Sequence, residues 1–383
     1  ARRRMAYIHI QSESDSQRLA DDLSGVTQFA LDCEAAGFHR YSDRLCLLQV
    51  TTPTATYIVD PLAFDASDLF RTVLEDPEIE VVMHGADYDL RLLLRDLDIT
   101  LRGLFDTQIA ASMLGLEGLG LAAQLAERFG VKLTKKYQRA DWAERPLTEG
   151  MLDYAASDTR YLLELRSQMA AELEVAGRTA WAQEECRALE AAAVAPKEVS
   201  EPVDPVARVK GARDLDPRQV HAIRVAVEWR DEIAKRRDRA TFRVVGDGPL
   251  IDAVALAPRR AEELVDLKGF PGGLARNEGK ELIRRLHAVT ELSDEEIVPY
   301  PKRRGGPGRA PPEIEELADK IKVVRNRRAD ELGLARGSLL SNAVLLEIAK
   351  VSPSSIEELK AIDGVRNWKA DVAGEEILAA LTS

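Results

Sequence analysis

Hydrophobic and polar positions divide the first half of the chain into short elements. Residues 27–33, 44–50 (Arg44-Leu45-Cys46-Leu47-Leu48-Gln49-Val50) and 55–60 read as strands, separated at 36–43 by a polar, glycine-containing turn. Residues 1–63 as a whole read as an edge segment followed by a meander. A helix is predicted over 64–75, then a short strand at Ile79–Met83 and helices at 87–98, 107–115 and 120–129. Strands first, then alternation with helices, indicates α/β layers around one sheet. Residues 131–147 are polar and read as a loop. It ends where Thr148 can cap a helix and Glu149 suits the positive end of its dipole. Helix then runs over about 149–193 with an interruption near Gly177, and the prolines and charges of 194–214 read as a linker.

Beyond the linker the pattern repeats. Residues 229–269 align without a gap on 324–364. Leu250-Ile251 fall on Leu345-Leu346, Pro258 on Pro353, Glu262-Glu263-Leu264 on Glu357-Glu358-Leu359, and Gly269 on Gly364. Matching apolar, proline and glycine positions over about 40 residues indicate two copies of one helical module. Between them lies a stretch rich in proline, glycine and basic residues, with Lys302-Arg303-Arg304 and Arg309, expected to be flexible.

One strand breaks its own pattern. In Phe29-Ala30-Leu31-Asp32-Cys33-Glu34 two acids interrupt an apolar run. Side chains alternate across a strand, so Asp32 and Glu34 share a face and Cys33 takes the other. Two buried carboxylates side by side repel and require a compensating cation. A second acidic group, His84-Gly85-Ala86-Asp87-Tyr88-Asp89, follows a strand and opens a helix, a usual place for a site in α/β folds. The structural alternative makes Asp87 a helix cap and Asp89 a first-turn acid. A third group, Tyr154-Ala155-Ala156-Ser157-Asp158, places Tyr154 and Asp158 on one helix face in a stripe that continues through Tyr161, Leu162 and Leu165. Here the alternatives are a core tyrosine and an aspartate paired with Arg160 or Arg166.

Composition sharpens this. Without a three-histidine or four-cysteine set, four carboxylates suit a hard, oxygen-seeking cation such as Mg²⁺ or Mn²⁺. The five histidines and three cysteines show no zinc-ligand spacing. No paired histidine context supports a cysteine or serine nucleophile. The formal net charge of -12 gives no global field for nucleic acid, so phosphate contacts are left to local patches. The candidates are Lys135-Lys136-Arg139, the 235–239 cluster with Arg243, and 302–309, each of which can equally be a solvated face. The cysteines have no paired spacing, no apolar stretch follows the basic start, and no run approaches a membrane span. The reading is therefore a cytoplasmic chain with no membrane partner.

The order Asp-x-Glu, His-x-x-x-x-Asp, Tyr-x-x-x-Asp resembles the 3′–5′ exonucleases with four acidic ligands and a tyrosine, and within them the ribonuclease D family. Leu31-Asp32-Cys33-Glu34 matches the first motif, with cysteine where threonine is common. His84 through Asp89 matches the second, with the ligand position on Asp89 rather than Asp87. Tyr154 and Asp158 match the third, and 140–147 resembles the segment before it, with Ala140 in place of the usual serine. Phe105-Asp106-Thr107 also resembles a family segment, and Asp106 receives no metal role. The repeated modules resemble the helicase-and-RNase-D C-terminal (HRDC) domain, the match carried by Trp229-Arg230-Asp231 through Arg239, Leu250, Pro258 and Glu263-Leu264.

The resemblance implies an α/β, ribonuclease H-like exonuclease domain (a mixed sheet flanked by helices) over 1–195, and a linker over 196–213. Two small all-α HRDC-like domains over 214–293 and 311–383 would follow, joined by a basic linker over 294–310. It implies hydrolysis of 3′-terminal phosphodiesters of RNA to nucleoside 5′-monophosphates. Asp32, Glu34, Asp89 and Asp158 would hold two Mg²⁺ or Mn²⁺ ions and Tyr154 would orient the water. The implied partner is the single-stranded 3′ end of RNA, tRNA precursors above all. The competing readings are a 3′–5′ DNA exonuclease of the same layout and a non-catalytic RNA-binding scaffold.

Overall fold

The computed structural model describes residues 6–196, 203–301 and 310–382. The basic stretch 302–309, a candidate phosphate contact, lies outside the described residues. The chain opens with β1 (Ile8–Ile10), α1 (Glu13–Leu23), β2 (Gln28–Ala35), β3 (Leu45–Thr51), β4 (Thr56–Val59), α2 (Ser67–Leu74), β5 (Glu80–Met83), α3 (Asp87–Leu97), β6 (Leu104–Asp106) and α4 (Thr107–Met113). It continues with α5 (Leu121–Phe129), α6 (Glu149–Thr159), α7 (Leu162–Val175) and α8 (Thr179–Val194).

The six strands form one mixed sheet in the order β1-β4-β3-β2-β5-β6. The β2–β3 and β3–β4 pairs are antiparallel, and β1–β4, β2–β5 and β5–β6 are parallel. All seven residues of β3 are buried, because both faces of this central strand are covered by helices. Phe29, Leu31, Leu48 and Val50 pack toward α1–α3, and Ala30 and Val82 toward α4 and α7.

Three local expectations are corrected. The meander reading of 1–63 passed over α1. Only Leu19, Leu23 and Ser16 of its 11 residues are buried, so its apolar stripe is thin, while Ser12 caps its first turn by accepting from the Asp15 amide. Strand β6 is three residues long, too short for alternation to show. The long helix of 149–193 breaks at Arg160–Tyr161 as well as near Gly177.

The repeat is reproduced element by element. The first module comprises α9 (Pro217–Arg236), α10 (Thr241–Val244), α11 (Asp247–Leu256), α12 (Ala261–Val265) and α13 (Gly272–Thr290). The second comprises α14 (Pro312–Leu332), α15 (Arg336–Leu339), α16 (Asn342–Val351), α17 (Ile356–Lys360) and α18 (Asn367–Thr382). Each first helix carries a buried arginine with equivalent partners. Arg230 donates to the Val245 carbonyl and Asp247, and Arg325 to the Leu340 carbonyl and Asn342. Gly269 and Gly364 turn the chain at φ +82° and +85°, where a side chain would be strained.

The two modules meet the α/β domain differently. The second shares one continuous apolar core with α4, α5, α7 and α8, and Trp368 stacks on Trp181 at 4.7 Å. The first has its own core and meets the β2–β3 loop through polar and aromatic contacts.

Candidate active site

Four acids converge beside the C-terminal half of β2. Asp32 and Glu34 project from one face of that strand toward α6, which carries Tyr154 and Asp158 on successive turns. Each of Asp32, Glu34 and Asp158 offers a carboxylate oxygen, and the three atoms lie within 4.8 Å of one another. Thr148 caps α6 by accepting from the Met151 amide, and the Thr159 hydroxyl sits 2.8 Å from that of Thr51, fixing the far end of α6 to β3.

Asp89 stands outside that tight group but within its field. It is a buried residue in the first turn of α3, delivered by the loop that leaves the C-terminal end of β5, next to β2. The loop turns at Gly85 with φ +72°, a conformation glycine adopts without cost. Asp106 holds it: its carboxylate accepts from the Gly85 amide at 3.0 Å and the Ala86 amide at 2.8 Å, and from Gln108 and Ile109 at the start of α4. Asp106 carries no metal role in the sequence reading. Its positioning work was not anticipated, although an acid immediately before a threonine-led helix is a capping signal.

Of the structural alternatives, Asp89 is indeed a first-turn acid of α3, whereas the cap reading of Asp87 and the Arg166 pairing of Asp158 do not hold. Ala86, not Asp87, is the cap residue of α3, and Asp87 pairs with Arg91 on the surface. Arg166, offered as a partner for Asp158, pairs with Glu80 at 2.6 Å, and Arg160 is exposed. The acids therefore press on one another. Burial pushes Asp32 up to about 7 and Asp158 to about 8, the latter helped by the Asp32 charge. Burial, then Asp32, Asp158 and Asp89, raise Glu34 well above the carboxylate range. Burial, Asp32 and Asp106 do the same to Asp89. The Tyr154 phenol is raised by burial and by Asp158, Glu34 and Asp32, which places its ring in the same field. Cys33 faces the opposite apolar layer.

This donor set fits a divalent cation. Oxygens sharing one hard ion at metal–oxygen distances of about 2.0–2.6 Å stand roughly 3–5 Å apart, the spacing seen among Asp32, Glu34 and Asp158. A buried, mutually repelling oxygen cluster is what such an ion neutralises.

Tyr154 is held by the loop before its helix. Trp142 lies 6.0 Å from its ring and Tyr137 6.2 Å. Arg145 anchors that loop through a two-pronged pair with buried Asp60, at 2.6 and 2.8 Å, and bonds to the carbonyls of Cys46 and Trp142. Neither Arg145 nor Asp60 was singled out from the sequence, since they lie far apart in it. Gln49 was not singled out either; it pairs across the ladder with Asp32 and is fully buried on the site's face.

The basic candidates are unequal. Arg236 and Arg237 both pair with Glu278, which reduces the charge they can offer to phosphate. Arg243 turns inward to the Phe38 carbonyl. Lys135, Lys136 and Arg139 are exposed.

The fold and its acidic cluster are those of a 3′–5′ exonuclease: the family model described as 3′-5′ exonuclease matches residues 7–174, and the HRDC domain model matches 222–286 and 314–381. Ribonuclease D of Pseudomonas paraeruginosa is 30% identical over 356 residues, covering 92% of each chain. The crystal structure of Escherichia coli RNase D, described as an exoribonuclease involved in structured RNA processing, superposes with a TM-score of 0.65 at 26% identity, covering 99% of both chains. A protein from Bifidobacterium adolescentis shares the fold, with a TM-score of 0.81 at 24% identity over 98% of this chain and 97% of its own. The chain belongs to the ribonuclease D family and is a 3′–5′ exoribonuclease of a divalent-metal-dependent class. No helix among the described residues is long and apolar enough to cross a membrane.

Proposed function

We propose that Asp32, Glu34, Asp89 and Asp158 hold two Mg²⁺ or Mn²⁺ ions and that Tyr154 orients the water attacking the 3′-terminal phosphodiester of RNA. The observation that carries this reading is the gathering of three carboxylate oxygens within 4.8 Å, with Tyr154 in their field and Asp89 at their edge. Bound ions would supply the charge that activates the water and stabilises the departing 3′ oxygen. The chain's own part is positional. Asp32 would hold an ion together with Glu34 and Asp158, whose carboxylate oxygens lie with its own within 4.8 Å. The Tyr154 phenol stays protonated at neutral pH and can donate to or accept from a water beside it. Asp106 fixes the loop that carries Asp89.

The substrate of this reading is the single-stranded 3′ end of RNA, tRNA precursors in particular, and the products are nucleoside 5′-monophosphates. The Escherichia coli relative's role in structured RNA processing supports that choice. The division into 1–195, 196–213, 214–293, 294–310 and 311–383 belongs to the same proposal. So does a cytoplasmic location, supported by three free cysteines.

The test incubates the chain with 3′-labelled tRNA precursor and with matched single-stranded DNA, each with Mg²⁺, Mn²⁺ or EDTA. Mononucleotide release from RNA, abolished by EDTA, is expected. Preferential release from DNA would overturn the substrate assignment, and release in EDTA would overturn the metal assignment.

A further inference from the structure

Single exposed apolar side chains are ordinary, but exposed aromatic residues gathered together mark an interaction surface. Among the described residues only four are exposed: Phe38, Tyr41, Tyr88 and Phe242, at 40%, 37%, 45% and 53%. They come from three distant parts of the sequence and are joined through the β2–β3 loop that follows Glu34. Phe38 and Tyr41 lie in the β2–β3 loop, Phe38 four residues past Glu34. Tyr88 precedes Asp89 in the first turn of α3. Phe242 lies in α10 of the first HRDC module.

The parts are bonded together. Asp43 accepts from the Gly37 amide and from the Tyr88 hydroxyl, joining the loop to α3. The Ala240 amide donates to the His39 carbonyl at 2.9 Å, the Tyr41 hydroxyl to Asp231 at 2.9 Å, and Arg44 to Asp238 at 3.0 Å, joining the loop to the module. On this scaffold Phe38 and Phe242 lie 5.5 Å apart, tilted by 56°. The Arg243 guanidinium stands 4.9 Å from the Phe38 ring and 5.7 Å from the Phe242 ring. The Arg139 guanidinium stands 5.5 Å from Phe38.

We propose that Phe242, with Phe38 and the Arg139 and Arg243 guanidinium planes, forms a stacking platform for bases of single-stranded RNA upstream of the scissile 3′ end. The first HRDC module thereby supplies part of the substrate-binding surface. Rings and guanidinium planes are the groups on which unstacked bases lie without sequence preference, and exposed Arg139, Lys135 and Lys136 meet the backbone phosphates. A protein partner would call for exposed aliphatic area as well. The exposed aliphatic residues (Leu62, Val175, Val194 and others) belong to none of the segments that build this crest. The proposal rests on the exoribonuclease reading and adds where the incoming strand lies.

The test compares Phe242→Ala with the parent on three substrates: a single-stranded RNA of about twelve nucleotides, the same RNA with abasic upstream positions, and a dinucleotide too short to reach from the acid cluster to Phe242. Phe242 is exposed and lies outside the core of its module, so the variant folds and keeps its chemistry. On the long RNA, kcat/KM falls roughly tenfold, the size conferred by one stacked base, with the change in KM rather than kcat. The dinucleotide is cut as by the parent, abasic RNA shows no difference between the two proteins, and Phe242→Trp restores the long-RNA rate. Unchanged long-RNA kinetics would overturn the platform and leave the crest as a protein-docking surface. An equal loss on the dinucleotide would overturn it in favour of a structural effect on the catalytic centre. A parent that cuts neither RNA nor dinucleotide would overturn the exoribonuclease reading itself, and the platform with it.

Discussion

Asp32→Asn is expected to lose at least about 10³-fold in mononucleotide release, roughly 4 kcal/mol of transition-state stabilisation, while making the metal-free protein more stable than the parent. Both effects come from one carboxylate. Asp32 stands in the oxygen cluster with Glu34 and Asp158, and its charge raises Glu34, Asp89 and Asp158. If Asp32 is a ligand as proposed, loss of its oxygen weakens the hold on any ion shared with its neighbours. In EDTA the same carboxylate is a buried repulsive charge, held at about 7 in the folded chain against 3.8 ordinarily. A raised folded-state value means that the stability it contributes is complete below about pH 4 and is lost as pH rises through about 7. Asparagine does not titrate there. The melting-temperature gap between variant and parent in EDTA should therefore widen from pH 5 to pH 8, to a few degrees (roughly 2–4 °C per kcal/mol). Adding Mn²⁺ at pH 8 should raise the parent more than the variant. Calorimetry across that pH range checks both signs. A variant less stable than the parent in EDTA at pH 8 would contradict the account.

Arg145→Ala is expected to cost about 3–5 kcal/mol of stability, the size for removing one partner of a buried ion pair. The Asp60 side chain is 1% exposed, and Arg145 meets both of its oxygens. Without the guanidinium that carboxylate is left buried and unpaired, and the carbonyls of Cys46 and Trp142 lose their donor. Replacing Asp60 by asparagine in the same chain should recover much of the loss, because the stranded charge is gone. Activity should fall further than stability explains, since Arg145 holds the loop whose Trp142 and Tyr137 flank Tyr154. Denaturant unfolding of the single and double variants measures this; a loss below about 1 kcal/mol for Arg145→Ala would show that the pair is dispensable.

What could be read in advance followed the range of the interactions. The two modules were legible because their apolar, proline and glycine positions recur in register, and the helices from α9 and α14 onward keep that register. The acids of the site were legible as violations: Asp32 and Glu34 inside an apolar strand, and Asp158 where a hydrophobe belonged. Helix α1 was hidden because so few of its residues are buried, and β6 because it is so short. Asp106, Gln49 and the Arg145–Asp60 pair were hidden for another reason. Each acts on a residue distant in sequence, and no local pattern records the meeting. The same holds for the second module's shared core and for the four exposed aromatic residues, whose clustering exists only after folding.

The central claim is that the buried oxygen cluster is a divalent-metal site. Isothermal titration of Mn²⁺ into the full chain at pH 8 with a 5′-mononucleotide present tests it most directly. Saturable binding of two ions per chain, lost or weakened in Asp32→Asn, is the predicted result. Absence of binding, a single site, or binding that Asp32→Asn leaves unchanged would contradict it.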